Sequence, residues 1–127
     1  MERRMWLGIA LLSVFLFSGI YTSVVTENIC APISDILQES CDYACAGELE
    51  TAAELTLQAS KLWKENWNKL AIVADHSPMD EIDGLFSQAN MYAKTGALQD
   101  LSASCARLAQ LVDAISDAHN LTWWNII

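Results

Sequence analysis

A charge-free stretch near the start is the first pattern the chain shows. After Met1-Glu2-Arg3-Arg4 no charged residue occurs until Glu27, and Met5 through Tyr21 are almost all apolar. About 20 such residues, rising about 1.5 Å each, cross a hydrocarbon core about 30 Å thick. In lipid the backbone must satisfy its own hydrogen bonds, so the stretch is expected to be a helix. Arg3 and Arg4 precede it and acids follow it, which places the N-terminus in the cytoplasm and residues beyond about 27 outside. Trp6 and Tyr21 stand near its two ends, where amphipathic rings prefer the interface.

The rival reading is a cleaved signal peptide, which shares the basic start and the apolar core. Cleavage wants small residues at −3 and −1, and bulky Ile20, Tyr21, Val24 and Val25 intrude there. The expected reading is a retained anchor over residues 5–25 in a single-pass cell-membrane protein. Secretion after cleavage is the alternative. A lipoprotein is disfavoured, because Cys30 follows Thr26-Glu27-Asn28-Ile29 rather than a small-residue box.

Residues 28–127 show helical rather than strand periodicity. A first segment is expected from about Pro32, a favoured first helical position, to Ala46. Its stripe is Ile33, Ile36, Leu37, Ser40 and Ala44, and Gly47 ends it. A second, about Glu48 to Ala74, carries Leu49, Ala53, Thr56, Ser60, Trp63, Trp67, Leu70 and Ala74 at steps of four and three, the spacing of a bundle seam. A third is expected to start on a Ser77 cap with Pro78 in the first turn. It continues through Ile82, Leu85, Phe86, Ala89, Tyr92 and Ala93 to Gly96. A fourth has the seam Leu98, Leu101, Cys105, Leu108, Val112, Ile115 and His119, with Asn120 as terminator. The fold class is therefore all-α: one transmembrane helix (domain 1–27) followed by an antiparallel bundle of about four helices (domain 28–127). Such a bundle returns its last helix toward the membrane. The Trp123-Trp124 tail then either meets the outer interface or covers the open end of the bundle.

Composition narrows function more than it defines it. The chain has 127 residues, 7 Lys+Arg against 16 Asp+Glu, and a formal net charge of −9. That balance disfavours nucleic acid and anionic membrane surfaces and favours basic or cationic partners. Two Pro and five Gly disfavour a disordered chain. No phosphate loop, nucleophile elbow, zinc-protease helix or dinucleotide fingerprint occurs.

Three residue groups carry candidate chemistry. Cys41, Cys45 and Cys105, with Cys30, invite a disulfide in an exported domain, Cys41 and Cys45 sharing one helix face that could meet Cys105. The plainer reading is that Cys45 and Cys105 are small buried hydrophobes. Asp75-His76, followed by Asp80, Glu81 and Asp83, could bind a cation or act as an acid–base pair. The plainer reading is helix-end chemistry, since acids suit a helix N-terminus and a His a C-terminus. Trp63, Trp67, Trp123 and Trp124 are the candidate partner-binding residues, because helical proteins bind partner helices through apolar grooves. No cofactor and no catalytic residue is expected.

The order of features is similar to the bacterial domain-of-unknown-function 4363 family. The residues that carry the likeness are Leu62-Trp63 and Trp67, the junction Asp75-His76-x-x-Met79-Asp80-Glu81-Ile82, Tyr92, and the ending Leu121-Thr122-x-x-Asn125-Ile126-Ile127. Ser77-Pro78 departs from the acid that often follows the His in the family, and the four Cys are no hallmark of it. The resemblance implies a small membrane-anchored helical protein and supplies no activity. The expected function is a non-enzymatic interaction or structural module of the cell envelope. The alternative is a metal- or ligand-binding protein or small enzyme centred on His76.

Overall fold

The computed structural model describes the backbone of residues 2–73 and 76–126, and the side chains of residues 2–21, 24–72 and 77–117. Four helices follow in order: α1 (Glu2–Cys45), α2 (Leu49–Val73), α3 (His76–Thr95) and α4 (Leu98–Ile126). No strand occurs among the described residues. α1 packs against α2 and α4, and α3 packs against the same two. The helices therefore form a square in chain order, and the two described connections are short turns, as antiparallel neighbours require.

Both well-described turns have a chemical cause. Gly47 (φ +82°) and Gly96 (φ +76°) hold the left-handed conformation that lets a helix stop abruptly. Glu48 N–H reaches back to the Tyr43 carbonyl (2.9 Å) and Gly47 N–H to that of Ala44 (3.1 Å). Ala97 N–H reaches the Tyr92 carbonyl in the same way (3.0 Å). These bonds satisfy carbonyls that a helix end leaves open.

The core contains most of the residues the seams predict. On α2, however, Ala52 is fully buried where the seam reads Ala53, and so is Ala59. Leu49, Leu85, Tyr92 and Leu98 are only half-buried. Ile33, Leu37 and Ala44 of α1 meet Trp63 and Leu70 of α2, Ile82, Phe86 and Ala89 of α3, and Leu101, Leu108, Val112 and Ile115 of α4. Met79 joins them, fully buried.

Three boundaries differ from the sequence reading. The span and the first bundle segment are one helix of 44 residues, not two elements, with Pro32 inside it. Pro32 cannot donate to the Asn28 carbonyl, but both residues are exposed, so water can take the place of that bond. α3 begins at His76, so Ser77 lies inside its first turn rather than capping it. α4 runs through Asn120 to Ile126, taking in the segment read as a separate tail.

The two parts of α1 have different surroundings. Its most apolar 18-residue window has a mean hydropathy of 2.0 and is not buried at all. Phe17, Leu11 and Tyr21 are all at least 70% exposed. From Thr26 onward one face turns inward, through Cys30, Ile33 and Leu37. Among the described residues α1 is the one helix long and apolar enough to cross a membrane.

Candidate functional site

Trp63 and Trp67 lie one turn apart on α2, so both indoles reach the same neighbour. A buried indole N–H needs an acceptor. Here a single carboxylate serves both: Trp63 Nε1–H donates to Asp83 Oδ1 (2.6 Å), and Trp67 Nε1–H donates to Asp83 Oδ2 (3.1 Å). Asp83 sits on α3 between Ile82 and Phe86, which are both buried, and is itself half-buried. Trp63 is only 1% exposed and stacks at a tilt on Phe86, with ring centroids 6.2 Å apart. Its indole therefore belongs to the core, whereas Trp67 is half-buried and borders a cavity. This cavity, of about 390 Å³, opens between the two helices. Buried Trp63 and Phe86 line it together with Ser60, Lys64, Trp67, Asp83, Ser87 and Asn90.

A second polar arrangement is sealed inside the bundle. The Ser40 hydroxyl (α1) lies 2.8 Å from the Ala52 carbonyl and 2.8 Å from Thr56 Oγ1 on α2. Thr56 Oγ1 also lies 2.8 Å from the Ala52 carbonyl. Cys105 Sγ (α4) stands 3.6 Å from Ser40 Oγ and 3.5 Å from Thr56 Oγ1. Each hydroxyl has one hydrogen to give, so the Cys105 S–H supplies the third donor and every member finds a partner. The cluster ties three helices together and is closed to solvent.

The cysteines are four free thiols. Cys41 and Cys45 converge on Ser102 Oγ of α4, at 3.5 and 3.0 Å. Cys105 turns inward to Ser40 and Thr56 instead of toward that pair. Ser102 draws the Cys41 thiol pKa down, but burial and the neighbouring Cys45 and Cys105 together push it up. Burial, aided by the negative charge of Asp113, pushes the Cys30 thiol up to about 12.

The acidic junction does not gather into a site among the described residues. Asp80 and Glu81 are exposed, and Glu81 accepts from Arg107 Nη2 of α4 at 3.0 Å. Asp83 belongs to the tryptophan pair. No three His, Cys, Asp or Glu residues among those described stand close enough to hold a metal ion. Asp75 and the side chain of His76 lie outside the described residues, as do the side chains of His119, Trp123 and Trp124.

In the sequence Trp63 and Trp67 stand out on one seam and Asp83 falls in a separate cluster of acids, with nothing to join them. The available signal was two indole donors at i and i+4 on a core seam, which call for an acceptor on the next helix.

A family model matches residues 20–126, the one described as Domain of unknown function (DUF4363). No curated protein and no solved structure matches the chain.

Proposed function

The chain belongs to the DUF4363 family, and from that premise we propose that it is a non-enzymatic helical module of the cell envelope. In this reading an uncleaved N-terminal span holds it to the cell membrane, with the bundle outside, where it acts by binding or as a structural element. One observation carries the reading. The helix that offers an unburied apolar window long enough to span a bilayer also supplies Cys30, Ile33, Leu37 and Ala44 to the bundle core. Nothing separates anchor from domain as a linker would, and cleavage near residues 19–25 would cut a continuous helix. Arg3 and Arg4 set the orientation through the positive-inside bias. The net charge of −9 favours a basic protein partner through electrostatic complementarity.

The test uses the full-length protein in its native membrane. It is extracted at alkaline pH, cross-linked, captured in detergent and read by mass spectrometry. The expected result is a membrane-retained chain with its first 25 residues intact and one recurrent partner at near-equal abundance. A soluble chain beginning after the apolar stretch would establish the secreted alternative. A retained but solitary monomer would remove the binding reading.

A further inference from the structure

We propose that the cavity between α2 and α3 binds an organic cation, an alkylammonium or guanidinium group, with Asp83 as its counter-ion and Trp67 as its aromatic wall. The two indole N–H groups hold the Asp83 carboxylate in place at 2.6 and 3.1 Å but bring no charge to it. Among the described residues the only ion pair lies elsewhere, between Arg107 and Glu81. Each Asp83 oxygen keeps acceptor capacity beyond its single indole bond. The space of about 390 Å³ is within the range that takes small organic groups.

Other ligand classes fit worse. The carboxylate repels anions. A neutral apolar group would strip water from a charge without replacing it. A hard divalent metal ion favours several carboxylate ligands, and the cavity offers one, beside the neutral side chains of Ser60, Ser87 and Asn90 and the cation Lys64. An organic cation satisfies the carboxylate and also gains from contact with indole, which is the best aromatic partner for a cation.

Lys64 lines the same cavity and carries the ligand's own sign of charge. It opposes binding, so its removal has a predicted direction. The inference needs neither the anchor nor a protein partner, and its failure would leave the proposed function standing.

The test is NMR of the full-length ¹⁵N-labelled protein in detergent micelles, reading the indole N–H signals of its five Trp. Trp63→Phe and Trp67→Phe assign the two that matter. Tetramethylammonium chloride, ethylguanidinium chloride and a capped Gly-Arg-Gly peptide are titrated against sodium chloride at equal ionic strength. The expected result is a saturable shift of the Trp63 and Trp67 signals that leaves Trp6 unmoved and that Asp83→Asn abolishes. Lys64→Ala tightens binding about two- to fivefold by removing a like charge. Tighter binding of the peptide than of ethylguanidinium would identify the source as a basic side chain of a partner, and the reverse a free amine. Asp83→Asn can also loosen the helix contact, so exposed Lys64 carries the decisive sign. Shifts that merely follow sodium chloride, or a Lys64→Ala variant that binds no more tightly, would overturn the proposal.

Discussion

Trp63 and Trp67 share an acceptor, yet their truncation should have unequal costs. Trp63 is buried against Phe86, so Trp63→Ala is expected to cost about 3–5 kcal/mol in urea unfolding, through lost burial and the cavity left behind. Trp67→Ala, at a half-exposed position, is expected to cost about 1–2 kcal/mol. The Ser40–Thr56–Cys105 cluster makes a different prediction. Ser40→Ala and Thr56→Val each remove one donor from a closed set, for a loss of about 1–2 kcal/mol. Their double variant should lose less than the two single losses combined, because both act on one network. The thiols should separate by access: a maleimide pulse is expected to label exposed Cys45 first and buried Cys30 and Cys105 last. Cys30 also sets a pH limit. Its folded pKa, about 12, exceeds the ordinary 9.0, so the stability this difference confers is complete below pH 9. It is lost as pH rises from 9 toward 12, and Cys30→Ala should flatten that decline in an unfolding series. These polar residues were the least legible in the sequence. Ser40, Thr56 and Cys105 each appear on a seam, but periodicity within one helix does not say which positions of different helices meet. Asp83 reads as one of several acids near a helix start, and only the approach of α2 to α3 gives it two indoles.

Helices were far more legible than their contacts, because burying one stripe per helix is dictated locally. Every described seam residue from Leu101 to Ile115 is buried, and both Gly47 and Gly96 stand where a helix stops. A paired substitution tests that reading. Gly47→Ala forces a side chain into φ +82° and is expected to lower stability by about 1 kcal/mol although there is open space around it. Gly84→Ala also meets open space, but in the middle of α3, and should raise stability by about 0.5–1 kcal/mol. Calorimetry of both variants should give melting shifts of opposite sign. The continuity of α1 was not legible, since Pro32 is both a good helix opener and a tolerable interior residue when the carbonyl it leaves unpaired faces water. Its removal should be favourable: Pro32→Ala restores a donor to the Asn28 carbonyl and is expected to raise the melting temperature.

At the scale of the whole molecule, the antiparallel square follows from short turns and an even helix count, and it directs α4 back along α1. Ser102 beside Cys41 and Cys45, and Cys105 beside Ser40, fix that opposed register. If α1 is anchored as proposed, its continuity also makes the protein a lever. About 27 Å of helix separates Glu27 from Cys45, and the packed neighbours of that length stiffen it. If a thinner bilayer tilts the span by a further 10° or so, the far end of the bundle near Gly47 sweeps sideways by about 5 Å. In the membrane-anchored reading proposed above, lipid thickness would thereby be converted into displacement at a distance from the membrane, along a helix that is continuous from Glu2 to Cys45.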